Sequence, residues 1–281
     1  MITIASLHIY PVKSCGGIAL QRGLVTATGF AHDREWMIVR EDGRFITQRE
    51  HPRLALIETA LDESALTLRV PGMQPLRIPL AARGAAMQVK CWNDLCAAHD
   101  AGDVAAEWLA AWLGAPHRLA RFDPAQRRPS NLTWTGGREA LNRFTDGYPW
   151  LVISEASLAD LNARLPKPLP MNRFRPNIVI DGCAAYDEDR MEELRHDEVR
   201  FALVKSCTRC AITTTEQATG TRDGDEPLRT LRSYRFDRQL KGVLFGQNII
   251  ALAGVGSTIA VGDIFEPRWR VDETGAPILS T

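Results

Sequence analysis

Most of the short motifs that announce a chemistry are missing from this chain. No Gly-x-x-x-x-Gly-Lys-Ser/Thr and no Gly-x-Gly-x-x-Gly follows a strand-like run, so the phosphate cradles of nucleotide folds get no support. There is no His-Glu-x-x-His, and the six histidines form no pair at metal-ligand spacing. No Gly-x-Ser-x-Gly elbow is present. Charge of either sign is not in excess: 34 Lys and Arg balance 34 Asp and Glu, with a pI near 7.0. No global field therefore draws in nucleic acid or an anionic membrane surface. The six cysteines have irregular spacing, which gives no disulfide framework and suits a reducing compartment. The opening run from Met1 to Tyr10 lacks a charged n-region and reads as a strand rather than a signal peptide. No internal repeat or low-complexity segment is found.

What is present is mostly strand-forming. In 281 residues there is room for one large or two medium domains. The spacing predicts a strand over Ile2–Tyr10, another over Ile18–Thr26, and a further one over Glu35–Arg40. Asp42-Gly43 is a hairpin signal from which 44–48 returns. Short strands are expected at Leu54–Ile57, Leu66–Val70 and Leu76–Ile78. Between the first two strands, Val12-Lys13-Ser14-Cys15-Gly16-Gly17 reads as a loop whose glycines let backbone approach a ligand. Val104, Trp108, Leu109, Trp112 and Leu113 recur at helical spacing, from Asp103 to Gly114.

Phe122 to Asn131 is polar and Pro-bearing, the best linker candidate. Beyond it Trp150–Ile153 reads as a strand and Ser154 as the cap of a helix stopped by Pro166. Ile178–Ile180 and Val199–Val204 read as strands, and 227–234 as a short helix. Residues 243–262 carry no charge over nearly a bilayer's length, but the glycines and the pair Gln247-Asn248 favour two paired strands over a membrane helix. After Pro267 a loosely held tail is expected.

The run Lys205-Ser206-Cys207-Thr208-Arg209-Cys210-Ala211-Ile212-Thr213-Thr214-Thr215 is the most informative stretch. Positive charge beside a thiol favours the thiolate, the form that binds metals or attacks electrophiles. A redox dithiol would need a helix starting at the cysteines, whereas Ile212 and the threonines favour extended backbone. Structural zinc wants four ligands, and Cys91 with Cys96, five apart, fits that poorly. Burial of both thiols as small strand residues stays open. What remains is one cysteine at a strand end beside Arg209, acting as a soft ligand or nucleophile. Lys13 with Ser14, Arg34, and Arg175 with Asn177 lie at turns beside strands, with Arg173 as a fourth cation; together they would suit a phosphate-bearing ligand. Singly, each reads as a surface charge. Cys91-x4-Cys96 matches the first step of a plant-type iron–sulfur spacing, but the next position is His99, so no cluster of its own is expected.

With Ile9-Tyr10-Pro11-Val12-Lys13-Ser14-Cys15, Asp33-Arg34-Glu35-Trp36, Ser154-Glu155-Ala156-Ser157-Leu158, Phe174-Arg175-Pro176-Asn177, Cys207-Thr208-Arg209-Cys210 and Leu244-Phe245-Gly246-Gln247 in order, the chain resembles the MOSC-domain proteins over about residues 2 to 266. The branch it is most similar to holds the mitochondrial amidoxime-reducing component and bacterial N-hydroxylated-base reductases. The resemblance implies a β-rich α+β fold: an N-terminal β-barrel-like region over 1–121, a MOSC β-barrel domain with a few helices over 122–267, and a tail over 268–281. It implies Cys210 as thiolate ligand of a molybdenum held by molybdopterin. Lys13, Ser14, Arg34, Arg175, Asn177, Thr208 and Arg209 would contact the pterin and its phosphate. Asn248 stands where the mitochondrial proteins have an aromatic hydroxyl contact.

The implied activity is reduction of N-hydroxylated compounds, hydroxylamino-purines or amidoximes, with electrons from a separate flavin, haem or iron–sulfur protein. No mitochondrial targeting or anchor segment precedes Ile2, so a cytoplasmic protein without membrane or nucleic-acid partners is expected. Two other readings stand beside it. One is a sulfur carrier or cofactor-handling module using a persulfide on Cys210; the family's sulfurases bind pyridoxal phosphate in a separate segment for which this chain has no room. The other is a cofactor-binding barrel without turnover.

Overall fold

The computed structural model describes residues 1–222 and 224–271. At its centre lies a closed barrel. Ile2–Ile9 pairs with Ile264–Trp269, which pairs with Met191–His196; Val199–Thr208, Gly242–Ala253, Trp150–Ser154 and Ile178–Asp181 follow in turn, and the last returns to Ile2–Ile9. Only Trp150–Ser154 and Ile178–Asp181 run parallel. A parallel pair needs a crossover, and helix Glu155–Arg164 makes it, capped by Ser154 Oγ accepting from the Ser157 amide at 3.0 Å.

Alternation explains why these residues become staves. Ile2 and Ile4 point inward, a bulge between Ile4 and Ser6 resets the phase, and Leu7 and Ile9 point inward again. Phe30, Trp150, Phe201 and Phe265 run through the interior with ring centroids 6.0, 5.3 and 6.2 Å apart. Outside the barrel, Ile153, Leu161, Phe174, Leu231 and Phe245 are buried beneath helices Glu155–Arg164 and Leu228–Tyr234.

The first half also builds a four-stranded sheet, ordered Trp36–Val39, Arg118–Phe122, Asp94–Asp100, Ala86–Cys91, and a meander of Glu58–Leu61, Ala65–Arg69 and Leu76–Pro79. Helix Asp103–Leu113 buries Trp108 and Leu109 against them and ends at Gly114, whose φ is 75°. The fold is thus β-rich α+β, with three α-helices among the described residues. None of these is long and apolar enough to cross a membrane.

Several local expectations change. Residues 52–56 form a 3-10 helix, not a strand: Pro52 at its first turn supplies the preset φ. Gly16 and Gly17 are not among the residues that line the cleft beside Lys13 and Ser14. A Cβ on Gly17 would sit 2.5 Å from the Tyr10 ring, so this glycine makes room for that tyrosine. The uncharged 243–262 stretch does hold two strands, but they do not pair with each other; Thr258–Ala260 joins Arg22–Thr26. The expected linker is tied down: buried Arg128 donates to Asp94, Asn142 and the Arg143 and Thr145 carbonyls. The last strand runs through Trp269, past Pro267, and residues 272–281 of the expected tail lie outside the described residues.

Buried Glu35 ties the four-stranded sheet to the turn at 32–34. It accepts from His32 Nδ1 at 2.9 Å and Arg121 Nε at 2.6 Å. Burial pushes its pKa up, but the His32 hydrogen bond and the charges of Arg143 and Arg121 outweigh this and hold it at about 2. A depressed carboxylate contributes stability that is complete above its unfolded value and lost as pH falls toward the folded one. With roughly 1.4 kcal/mol per unit, Glu35→Gln should cost about 3 kcal/mol at pH 7 and progressively less from pH 4.5 down to 2. Urea midpoints across that range test it; a gap that stays constant with pH contradicts the assignment.

Candidate functional site

Strand ends from both halves of the chain converge on one cleft of about 800 Å³, open to solvent. Lys13, Ser14 and Arg34 come from the first half. Arg175, Asn177, Thr208, Arg209, Cys210 and Asn248 come from the second. These nine residues, each singled out from the sequence, line this cleft together. Arg173 does not; it lies beneath, donating to the Thr213 carbonyl at 3.0 Å and paired with Glu216 at 2.9 Å. It props the turn after Cys210 rather than facing a ligand.

That turn departs from the sequence expectation. Ala211–Thr214 is a short 3-10 helix rather than extended backbone. Threonine hydroxyls explain it: Thr213 Oγ1 donates to the Cys210 carbonyl at 2.9 Å, and Thr214 Oγ1 to that of Ala211 at 2.8 Å. Cys210 stands at the junction with an extended backbone, its thiol half-buried on the cleft wall. The guanidinium beside it is not that of Arg209. Arg209 Nη1 lies 3.0 Å from Cys207 Sγ, whereas Arg49 Nη2 lies 3.1 Å from Cys210 Sγ.

The cations are held by a rigid frame. Fully buried Asp33 accepts from the Tyr10 amide at 2.8 Å and from Arg34 Nη1 at 2.8 and 2.7 Å. Arg34 Nη1 also donates to Asn177 Oδ1 at 3.1 Å. The Tyr10 ring lies between two guanidiniums, 4.3 Å from Arg34 and 4.2 Å from Arg175, contacts worth about 0.5–2 kcal/mol each. Arg175 Nη1 donates to the Cys15 carbonyl at 2.7 Å. Burial, reinforced by Arg34, lowers the Arg175 pKa to about 10 against the pull of Tyr10 and Cys15; it stays charged at neutral pH. Ser14, Arg34 and Arg175 all adopt left-handed backbone, with φ of 67, 44 and 57°. Strain of this kind, about 1–2 kcal/mol per residue, persists where neighbours over-determine a conformation, and clusters at functional sites.

Three further residues belong to the cleft or its rim, none of them singled out from the sequence. Asp146 accepts from Lys13 Nζ at 2.5 Å and Trp92 Nε1 at 3.2 Å. Its side chain is 59% exposed, and the charges of Lys13 and Arg49 hold the carboxylate below its usual range. Arg49 lies 3.9 Å from Asp146 and 4.7 Å above the Trp92 ring. The only local signal was turn chemistry at Asp146-Gly147 and Trp92-Asn93; nothing local marks Arg49.

A multi-cation cleft with the thiols of Cys207 and Cys210 on its wall fits a ligand that brings both anionic groups and soft chemistry. Among the described residues no three His, Cys, Asp or Glu side chains group together, so the chain offers no closed set of metal ligands here. Arg175 Nη2 and Arg209 Nε are buried with no hydrogen-bond partner, leaving donors for an anion. Cys91 and Cys96, by contrast, are fully buried in the core of the four-stranded sheet.

This is the architecture of MOSC proteins. The MOSC N-terminal beta barrel domain matches residues 1–116 and the MOSC domain residues 140–266, and the chain belongs to that family. Its relatives there are the amidoxime-reducing components. It is 38% identical over 276 residues to mitochondrial amidoxime-reducing component 1 of Homo sapiens, covering 93% of this chain and 81% of that one. Mitochondrial amidoxime reducing component 2 of Rattus norvegicus is 37% identical over 278 residues, with 93% and 82% covered. Component 1 of Xenopus laevis is 35% identical over 294 residues, with 97% and 83% covered.

Proposed function

We propose that the cleft binds a molybdenum–molybdopterin cofactor through Cys210, and that the protein reduces N-hydroxylated compounds such as hydroxylamino-purines and amidoximes. The observation that carries this reading is the half-buried Cys210 thiol on a wall shared with Lys13, Arg34, Arg175 and Arg209. The names of the relatives support the substrate class.

Cys210 would hold the metal with its thiolate. Arg175 and Arg209 would direct their unpartnered N–H groups at phosphate oxygens, with Lys13 and Arg34 completing the charge and Ser14, Asn177 and Thr208 adding hydrogen bonds. Asn248, whose amide donates to the Lys205 carbonyl at 3.1 Å, would present its oxygen to the cleft. The bound cofactor supplies the two-electron chemistry that converts N–OH to N–H, consuming two protons and releasing water. Electrons would arrive from a separate flavin, haem or iron–sulfur protein.

Protein purified from a cofactor-producing host should contain stoichiometric molybdenum and reduce a hydroxylamino-purine when given a donor. Metal-free protein from such a host overturns the reading. A persulfide found on Cys210 by mass spectrometry, with no pterin bound, would instead establish a sulfur carrier.

A further inference from the structure

Beside the Cys210 cleft is a second cavity of about 900 Å³. Its floor is Trp92, a residue 39% exposed at the tip of the hairpin joining Ala86–Cys91 to Asp94–Asp100, with φ of 59° and with Arg49 over one face of its ring. Phe45 braces that indole edge-on at 5.2 Å. Lys90, exposed near the end of that strand, lines the same cavity, and Arg44 is bridged to it on the neighbouring segment. Neither cation has an ion-pair partner among the described residues, while Glu50, the acid in this cavity, is taken by Arg40 at 3.1 Å. Arg49 and Asp146 form the partition between the two cavities: Arg49 touches Cys210 on one side and Trp92 on the other.

An exposed ring with two uncommitted cations beside it, next to a thiol, is a poor surface and a good receptor. The geometry points to this cavity as the substrate site for a planar ring bearing an anionic group: the ring stacks on Trp92, and the anion is held by Arg44 and Lys90. This rests on the reductase reading and narrows it, from N-hydroxylated compounds in general to those carrying a phosphate, such as the nucleoside monophosphates of N-hydroxylated bases. A neutral base can use the ring contact alone. Stacking on an aromatic side chain tolerates any base, so it sets no base preference; the two cations supply the discrimination.

The test is equilibrium binding by calorimetry, on the full chain without cofactor or donor, of an N-hydroxylated adenine and its nucleoside monophosphate. The wild type is expected to bind the monophosphate at least about tenfold more tightly than the base, the scale of one to two charge-assisted contacts. The preference should shrink with rising salt. In the doubly substituted Arg44→Ala, Lys90→Ala protein it should fall to within about twofold, and Arg44→Glu, Lys90→Glu should reverse it. Trp92→Ala should weaken both ligands. Equal affinity in the wild type, or a preference that survives removal of both cations, overturns the proposal. Because the measurement uses neither molybdenum nor turnover, its outcome is independent of the test of the reductase reading. A phosphate preference in protein that never acquires molybdenum would leave this site standing and remove only the chemistry assigned to its neighbour.

Discussion

Serine at position 210 should leave a folded protein that no longer retains molybdenum. Even a group that merely supports a metal ligand typically carries 10- to 100-fold in affinity, so losing the sulfur proposed to bond the metal is expected to exceed about 100-fold. A hydroxyl is harder than a thiolate and stays protonated at neutral pH, so it replaces neither the softness nor the charge. The thiol is only half-buried, with its listening partner Arg49 at 3.1 Å, so the exchange should disturb the fold little. Cys207→Ser is the matched control, because that sulfur is engaged by Arg209 instead. Metal analysis and reductase turnover of the two variants give the answer. Equal molybdenum in Cys210→Ser and wild type would refute the ligand assignment, and equal loss in both would point to a thiol pair acting together.

Gly246→Ala should be among the most damaging small substitutions in the barrel. Its φ of 81° lies in the left-handed region, and a Cβ there would come 2.6 Å from Ile153 Cγ1 and 2.8 Å from the Val152 carbonyl oxygen. Neither neighbour can yield easily: Ile153 is β-branched and fully buried, and the other contact is backbone. Left-handed strain of about 1–2 kcal/mol added to overpacking of about 1–3 gives an expected loss near 3–5 kcal/mol, a large share of a typical domain's stability. The effect should reach the cleft as well. The register between Val199–Thr208 and Gly242–Ala253 shifts between the pairs Ser206–Gln247 and Thr208–Leu244, so this glycine sets how Thr208 and Asn248 are presented. Denaturant midpoints at unchanged m-value would measure the loss; a change below about 1 kcal/mol would show that the strand relaxes freely.

Legibility from sequence followed the range of the interactions. A strand whose burial alternates, such as Ile2–Ile9, shows itself by period, Val199–Thr208 by its β-branched and aromatic apolar run, and Ser154 announces its helix by local capping. Ala86–Cys91 and Asp94–Asp100 went unread because polar residues break up their apolar positions. Arg118–Phe122 hides for another reason: Arg121 is buried there because Glu35, far away in sequence, neutralises it. The turn after Cys210 is not legible from propensity, which treats threonine as a strand former and ignores its hydroxyl, which here bonds the preceding carbonyls. In the cleft, cations placed at turns beside strands could be suspected from position. Arg49 could not, because its thiol contact lies 161 positions downstream.

The stave formed by Ile2–Ile9 belongs, by pairing, to the C-terminal strands Ile178–Asp181 and Ile264–Trp269. A nascent chain therefore cannot seal this cylinder until residue 269 has left the ribosome. Cutting the gene between the two family segments would leave a seam flanked by two naked strand edges, which invite intermolecular pairing. The halves are expected to precipitate when made separately and to recover only when the opening stave is supplied in trans.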